Sequence, residues 1–298
     1  MSEVVQSSVM PVPVGGRAVL PLGARQIVPI LLVAPLVIFM AVFYALPVLS
    51  MLMRSIDEPT WSVVHYKELM SDTVFFHTLS NTLYTAVIVT LGTLVLGYPV
   101  ALALTRAKRL APLILVIVLL PFWTSVLVRS YAFMVLLGRH GLINEALLSA
   151  GLIDRPLRIL NTSLAVYIGM IHILMPYMIL PIANALRQID PSLARAAAGL
   201  GSPPWRTFLQ VTLPLSIPGV AAGGLLVFVL SLGFYITPAM LGGPRDITLS
   251  MLIANQVDQL NWAYAACLST VLLATALIII VGFRRLPGIG GAFKMSAR

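Results

Sequence analysis

The chain alternates between long apolar runs and shorter polar segments. Six apolar runs lie at about 27–53, 80–104, 111–137, 161–186, 217–241 and 262–283. Each is long enough to cross a bilayer as a helix, which takes about 20 apolar residues. Backbone groups inside lipid must be hydrogen-bonded within their own element, so runs of this kind predict helices. The pattern predicts an all-α polytopic membrane protein with six transmembrane helices.

The two ends of the chain are polar. Residues 1–26 are rich in Pro, Gly and polar residues, and we expect a flexible cytoplasmic tail there. Residues 286–298 are expected to form a second cytoplasmic tail, which leaves 27–285 as the membrane domain. The first apolar run is too long for the core of a signal peptide and has no clear cleavage site. It is therefore predicted to remain as a transmembrane span.

Composition agrees with this interpretation. The chain is 59% hydrophobic and 10% charged, whereas about 25% of the residues of a soluble domain are charged. Its net charge of +9 could indicate nucleic-acid binding, but we favour a topological origin and expect no nucleic-acid partner. The single cysteine, Cys267, excludes a disulfide framework and a cysteine-based metal site.

The distribution of Lys and Arg sets the expected orientation, because cytoplasmic loops of membrane proteins are enriched in them. Twelve cations and two acids lie in the N-terminal tail, the 105–110 turn, the 187–216 segment and the C-terminus. The remaining sequence holds seven cations and eight acids. Six spans with both termini in the cytoplasm explain this asymmetry. The 187–216 segment is then expected to be cytoplasmic in a multi-pass membrane protein.

The segment 190–214, DPSLARAAAGLGSPPWRTFLQVTLP, interrupts the apolar pattern. Asp190-Pro191 predicts a helix start, and Gly199 and Gly201 predict its end. A second helix is predicted to follow and to stop at Pro214. Both helices are too short to cross the lipid. Their apolar stripes fit helices that lie on the membrane surface or cap the bundle, and they equally fit helices that are bound by another protein.

The same segment resembles the cytoplasmic loop of ABC importer permeases. That loop reads Glu-Ala-Ala, three residues, Gly, nine residues and Ile-x-Leu-Pro. The resemblance implies the type I ABC importer permease fold and a helix pair, at about 190–214, that docks in a cleft of a partner ATPase. The residues implied in this coupling are Arg195, Ala196, Ala197, Gly201, Trp205, Phe208, Leu213 and Pro214.

Arg195 departs from the family pattern, since it stands where the family has glutamate. A basic group on the ATPase would repel this side chain, and an acidic groove would pair with it. We predict either an ATPase with a compensating carboxylate, or a complex in which a sister permease carries the ordinary glutamate loop.

Two further stretches, RSYAFMVLLGRHGLINEAL from Arg129 and FVLSLGFYITPAMLGGPRD from Phe228, resemble the spermidine/putrescine-type permeases. The resemblance implies an importer of a small organic amine such as spermidine or putrescine, with alternating access. It also implies a second permease, expected to be a homologous but different chain, two ATP-binding subunits and an extracytoplasmic solute-binding protein. ATP and Mg²⁺ would be held by the ATPase, and this chain would bind no cofactor. The alternative substrate is an amine that carries an acidic group, of the amino acid or aminoalkylphosphonate type.

Several residues are candidates for contact with the substrate or the binding protein. Arg129 is a charge at membrane depth, which is expected to face the bundle interior or water. It would repel a polyamine and attract a carboxylate or phosphonate, although it could also pair with helix-end carbonyls. The candidate path residues are Arg129, Trp123, Tyr131 and Tyr235, with Phe122 and Phe234 as further ring surfaces. The aromatic residues equally fit an interfacial belt. Gly242, Gly243 and Asp246 are candidates for a rim that contacts the binding protein.

The sequence also argues against other classes of protein. It contains no G-x-x-x-x-G-K-[ST] phosphate loop and no plausible catalytic constellation. His172 has no metal ligand at suitable spacing in its span. We therefore expect no catalytic residues, no metal site and no enzymatic activity in this chain. An ion-coupled secondary transporter is the main rival, but such proteins usually carry carboxylate or histidine relays inside the membrane.

Overall fold

A computed structural model describes residues 22–57, 64–107 and 109–285. Within these ranges the regular elements are all helical. Six helical segments are long and apolar enough to cross a membrane: Leu31–Ile56, Thr73–Arg106, Val126–Ser149, Ser163–Gln188, Pro204–Leu232 and Trp262–Phe283. The all-α, six-span architecture is thereby confirmed. The predicted tails 1–26 and 286–298 lie outside the described residues, except that 22–26 belong to the first helix.

The residues up to Met51 form a compact unit of their own. This unit contains α1 (Leu22–Met40), a π-helical turn (Ala41–Ala45) and the beginning of α2 (Leu46–Asp57). Where its side chains are described, from Leu31 on, none is fully buried within the chain. A helix that is apolar on every side is suited to lipid or to another apolar chain.

The second unit begins at Leu52. Its helices after α2 are α3 (Val64–Ser71), α4 (Thr73–Arg106), α5 (Ala111–Leu119), α6 (Val126–Leu137), α7 (Leu142–Ser149), α8 (Ser163–Gln188), α9 (Pro191–Gly199), α10 (Pro204–Thr207), α11 (Leu213–Leu232), α12 (Ile236–Leu241), α13 (Leu249–Asp258) and α14 (Trp262–Arg285). The centre is formed by α4, α8 and α11, which pack against one another. Val89, Met178 and Val227, one from each of these helices, are completely buried there.

Close contact between α8 and α11 depends on two glycines of α11. A Cβ atom at Gly219 would lie 2.7 Å from the carbonyl oxygen of Pro181, and one at Gly223 would lie 3.1 Å from that of Met178. Because the two glycines are four residues apart, they lie on the same face of the helix. The backbones of α8 and α11 therefore approach more closely than side chains would allow.

The third predicted helix, 111–137, is broken, so the prediction of one continuous helix is wrong. α5 passes into a 3₁₀ turn (Leu120–Trp123), and α6 begins after Ser125. Pro121 has no N–H to continue the ladder. The hydroxyl of Ser125 accepts a hydrogen bond from the backbone N–H of Leu127 at 3.3 Å, which caps the new helix. The residues from Phe122 to Ser125, at the break, are exposed.

The fifth predicted span, 217–241, also differs from the structure. Helix α10, a π-helical turn (Phe208–Thr212) and α11 form one uninterrupted rod, and α12 is a separate helix beyond Gly233. The prediction that Pro214 ends a helix is therefore wrong. In the π turn, the N–H of Leu213 bonds the carbonyl of Phe208, five residues back. This wider turn accommodates a proline that cannot donate its own hydrogen bond.

A second apolar cluster joins α3, the start of α4, α13 and α14. It contains Leu69, Phe75, Leu249, Cys267 and Leu268. Two polar contacts hold α13 against α4: the N–H of Leu249 donates to the Thr82 hydroxyl at 2.8 Å, and Asn81 Nδ2 donates to the carbonyl of Ile247 at 2.9 Å.

Candidate functional site

The 190–214 segment folds into a short helix, a sharp bend and the start of the rod. Asp190 caps α9 by accepting a hydrogen bond from the N–H of Ser192 at 2.8 Å, and this bond lowers the pKa of the Asp190 carboxyl. The bend is built at Gly201, whose φ of +80° favours glycine. There the N–H of Ser202 bonds the carbonyl of Ala197 at 3.0 Å, which satisfies a helix-end carbonyl.

Most of this segment is not covered by the rest of the chain. Ala197 is the one residue of α9 that is even partly buried. Two large apolar side chains beside the bend, Leu200 and Trp205, are 90% and 60% exposed. The guanidinium of Arg206 lies 5.0 Å from the centre of the Trp205 ring. An exposed apolar surface rimmed by charges is typical of a site that another protein covers.

The implied coupling residues divide into two groups. Arg195, Ala196, Gly201, Trp205 and Pro214 are exposed, while Ala197, Phe208 and Leu213 are partly buried. The buried group connects the segment to the bundle. The Phe208 ring meets the Tyr98 ring edge-on at 5.8 Å, and the Tyr98 hydroxyl hydrogen-bonds Ser216 at 2.8 Å. The segment therefore presents an outer surface and has an anchored base.

A small cavity of about 80 Å³ lies beside Arg129 in the middle of the bundle. Its wall includes Phe122, Val126, Arg129, Ile173, Tyr177 and Phe234. The Nε atom of Arg129 is buried and has no hydrogen-bond partner among the described residues. Ile173 is ten residues into α8, which places the cavity about 15 Å from that end of the helix.

Of the candidate path residues, Phe122 and Phe234 line this cavity together with Arg129, whereas Trp123, Tyr131 and Tyr235 do not. Trp123 is 78% exposed, and Tyr131 and Tyr235 are also exposed on the outside of the unit, so their role in a path stays a prediction. Tyr177 lines the cavity and stacks edge-on against Phe122 at 5.1 Å, but sequence reasoning missed it. The available signal was an aromatic residue with a polar tip, directly after Pro176 inside a span.

In the candidate rim at 242–246, the acidic side chain of Asp246 points into the protein. The Asp246 carboxylate is buried and accepts hydrogen bonds from the Ser163 hydroxyl and from the N–H of Gly243, the latter at 2.8 Å. Gly242 and Gly243 are partly buried, and the residues that the turn exposes are Pro244 and Arg245. Asp246 therefore shapes the turn and does not itself offer a free carboxylate to a partner.

No group of three or more His, Cys, Asp or Glu side chains that could hold a metal ion occurs within the described ranges. His172 packs its ring edge-on against Phe133 at 5.2 Å. The features that remain are an exposed helix pair at one end, a cationic cavity in the middle and a polar turn at the other end. These features and the six spans define a polytopic transport component.

Comparison with known proteins identifies the family to which this chain belongs. The family described as "binding-protein-dependent transport system inner membrane component" matches residues 23–284, and the chain belongs to it. The protein is thus the permease component of a binding-protein-dependent ABC importer, and it is a multi-pass protein of the inner membrane.

Curated relatives cover most of the chain. The chain is 35% identical over 223 residues to the spermidine/putrescine transport system permease protein PotB of Salmonella typhimurium strain LT2, covering 74% of this chain and 77% of that protein. It is 34% identical over 247 residues to the PotB of Haemophilus influenzae, covering 81% of each. It is also 32% identical over 287 residues to the inner membrane ABC transporter permease protein YdcU of Escherichia coli K12, covering 89% and 90%. These matches confirm the resemblance to spermidine/putrescine-type permeases.

A solved structure supports the fold. A chain of a bacterial alginate ABC transporter, crystallised with an alginate pentasaccharide-bound periplasmic protein, has a TM-score of 0.73 with 20% sequence identity. The match covers 87% of this chain and 93% of that one. At this identity the likeness concerns the fold alone.

Proposed function

We propose that this permease carries a small organic amine such as spermidine or putrescine into the cytoplasm, driven by a separate ATPase. The substrate class is supported by the two PotB relatives, whose names specify spermidine and putrescine. Alternating access to the two sides would be driven by nucleotide binding and hydrolysis on the partner. In this proposal the chain itself binds no ATP, Mg²⁺ or metal and catalyses no reaction.

The observation that carries the coupling role is the exposure of the 190–214 segment. Leu200 and Trp205 remain exposed beside the bend, and α9 has a nearly uncovered surface. Burying these side chains would stabilise a complex by roughly 1.5–3 kcal/mol for each fully buried large residue. A cleft in the ATPase is the proposed cover, and the small side chain of Ala196 lets the helix seat closely in it.

The proposed assembly contains a second, homologous but different permease, two ATP-binding subunits and an extracytoplasmic binding protein. Its orientation rests on charge, since the 187–216 segment carries Arg187, Arg195 and Arg206 against Asp190. Both termini would then lie in the cytoplasm together with α9. The N-terminal end of α8 and the 242–246 turn would face the binding protein.

Arg195 adds a specific feature to the coupling surface. Its side chain is exposed and has no ion-pair partner within 4.0 Å among the described residues. Since this position carries a positive charge, we propose that the ATPase cleft presents a carboxylate to it. The sister-permease alternative remains open, in which that subunit carries the glutamate loop and Arg195 contributes less.

A charge-reversal experiment tests this proposal in the complete transporter. Arg195→Glu is expected to lower ATP-driven uptake by about 10- to 100-fold, because a favourable interfacial pair becomes a repulsive one. Arg195→Lys should keep most of the uptake. Arg245→Glu reverses an exposed charge on the 242–246 turn and is the matched control for ATPase co-purification, which should fall in Arg195→Glu and stay unchanged in Arg245→Glu.

Two results would separate the alternatives. Recovery of uptake when a carboxylate of the ATPase cleft is changed to lysine in the Arg195→Glu background would identify the partner. Uptake by Arg195→Glu equal to that of the unmodified protein would show that position 195 is solvated, while the coupling role of Leu200 and Trp205 would still stand.

A second candidate substrate class is an amine that also carries an acidic group. The observation in its favour is Arg129, whose buried Nε has no partner and whose side chain lines a cavity within the membrane domain. An arginine fork pairs well with a carboxylate or phosphonate and repels a second cation. Titrating the cognate binding protein with polyamines and with aminoalkyl acids distinguishes the two classes, because each predicts saturation by one panel only.

A further inference from the structure

A second cavity lies at the N-terminal end of α8, away from the 190–214 segment. It has a volume of about 520 Å³ and is lined by Arg139, Arg158 and the four residues 159–162 that lead into α8. None of its lining residues is acidic. Arg139 and Arg158 have no carboxylate within 4.0 Å among the described residues.

A buried asparagine holds the two arginine-bearing segments together. Asn144 is completely buried in α7, and its Nδ2 donates to the carbonyl of Gly138 at 2.9 Å and to that of Leu157 at 3.1 Å. Its Oδ1 accepts from the N–H of Leu157 at 2.8 Å. Gly138 and Leu157 each directly precede one of the two arginines. The fold therefore fixes the backbone on which both arginines stand, and the exposed side chains of both line the same cavity.

The cavity is continuous with the 242–246 turn. The N–H of Asn161, one of the lining residues, donates to the carbonyl of Leu241 at 3.0 Å. The hydroxyl of Ser163, the first residue of α8, donates a hydrogen bond to the Asp246 carboxylate. Asp246 is thereby engaged in the turn, and it does not line the cavity. The cavity and the turn form one polar surface at this end of the bundle.

Two arginines that line one cavity without an acid repel each other, and a bound anion removes that repulsion. The planar guanidinium is suited to a carboxylate, with which it forms paired hydrogen bonds. We propose that Arg139 and Arg158 form a docking pocket for a carboxylate-bearing surface segment of the extracytoplasmic binding protein. A permeating polyamine does not fit the pocket, because both arginines would repel it.

The position of the pocket supports this partner, and the inference rests on the proposed function for its orientation. Helix α8 has 26 residues, or a length of about 39 Å, between the pocket at its start and α9 beyond its end. If α9 is cytoplasmic, the pocket faces the side from which the binding protein arrives. The family is defined by dependence on such a protein.

The test measures the affinity of the loaded binding protein for the complete transporter in nanodiscs of phosphatidylcholine. Arg139→Gln and Arg158→Gln are each expected to raise Kd by about 3- to 10-fold, and the double variant by about 10- to 100-fold. The dependence of Kd on salt should weaken in the double variant. Basal ATPase activity should not change, because neither residue touches the 190–214 segment.

Arg155→Gln is the matched control, since Arg155 is an exposed arginine of the same loop that does not line the cavity. An equal rise in Kd in this control, or a double variant within about twofold of the unmodified protein, overturns the proposal. A difference that appears only when anionic phosphatidylglycerol is added would identify a lipid headgroup as the occupant and also overturn it. If the unmodified transporter shows no response to any loaded binding protein, the proposed function fails instead.

Discussion

The two ends of α8 differ in how strongly the neighbouring segments are held by contacts within the chain. At its start, the segment 138–163 is fastened by internal hydrogen bonds: Asn144 joins two loops, and Asp246 joins Ser163 to the turn after α12. Beyond its end, α9 has almost no buried surface, and Leu200 beside it is 90% exposed. Both ends expose leucines, but only the first end is also held together by side-chain hydrogen bonds between its segments.

The two ends are therefore suited to different roles: the first end keeps a fixed shape, and the second end associates with a partner. A surface that is rigid within one chain can present fixed charges to a partner that arrives and leaves. A surface that keeps apolar side chains exposed is suited to a partner that remains bound, because separation would return that area to water. The contrast therefore predicts that mutations that remove the internal hydrogen bonds of the first end lower folding stability, and that mutations of exposed apolar residues at the second end change assembly.

The largest expected effect tests the first half of this contrast. Asn144→Ala removes the side-chain partner of three partly buried backbone hydrogen bonds and is expected to destabilise the permease by about 2–4 kcal/mol. Thermal unfolding in detergent should show an apparent Tm lower by about 5–10 °C. Glu145→Ala changes the exposed neighbouring residue and should have little effect. An unchanged Tm in Asn144→Ala would mean that the 138–163 segment is not held as described.

The next largest effect tests the second half of this contrast, the role of the exposed apolar surface beside α9 in assembly. Leu200→Asp should reduce ATP-driven uptake and ATPase co-purification by about 30-fold, as expected when a central interface residue is lost. Its Tm should be unchanged, because the side chain touches little of its own chain. Leu152→Asp, which alters a leucine that is also exposed but lies in the 138–163 segment, should still co-purify with the ATPase. Equal losses in both variants would break the comparison.

A smaller effect is expected from the backbone of the bend. Gly201→Ala forces a side chain into the left-handed region and should cost about 1–2 kcal/mol, although a Cβ there meets no atom within 4 Å. Gly199→Ala has equally open space but lies in α9, where alanine should stabilise the helix by up to about 1 kcal/mol. Hydrogen exchange of α9 measures both effects, which should have opposite signs.

The smallest effect is the pH response of the α9 cap. The folded pKa of Asp190 is lowered by its hydrogen bond from Ser192, so the cap stabilises α9 at pH values above the unfolded pKa of about 3.9. This contribution is lost as the pH falls through the folded pKa, and no change is expected near neutrality. Exchange protection of α9, corrected for intrinsic rates, should decline only in acid. Asp190→Ala should show the reduced protection at every pH.

The sequence predicts the membrane spans and the bend because both follow from local chemistry. Apolar length determines a span, and Asp190, Pro191 and Gly201 act on neighbouring backbone groups. The break in the third span has a local signal in Pro121 and Ser125. The apolar run continues through both residues, however, and its length alone predicts one unbroken helix. The π turn before Pro214 was not predictable from proline alone, since proline more often ends a helix than follows a widened turn.

The arginine pocket could not be predicted in the same way. Arg139 and Arg158 are far apart in sequence, and Asn144 brings their segments together through bonds to Gly138 and Leu157. In the sequence, Asn144 resembles an ordinary polar residue near a loop. Its burial depends on tertiary packing, as does the meeting of Arg129 with Tyr177. Pairings of this kind carry no periodic signal.

The uninterrupted rod from Pro204 to Leu232 has a geometric consequence. Trp205 lies on the exposed surface beside the bend, and Leu230 lines the cavity beside Arg129. Each helical residue turns the chain by about 100°, so the number of residues between these two positions fixes the angle between the faces on which they lie. Twisting one end of such a rod about its axis must rotate the other, whereas the Gly201 bend gives α9 no such axial connection. A one-residue insertion between those positions would therefore change the relative azimuth of two distant surfaces while leaving the composition of each intact.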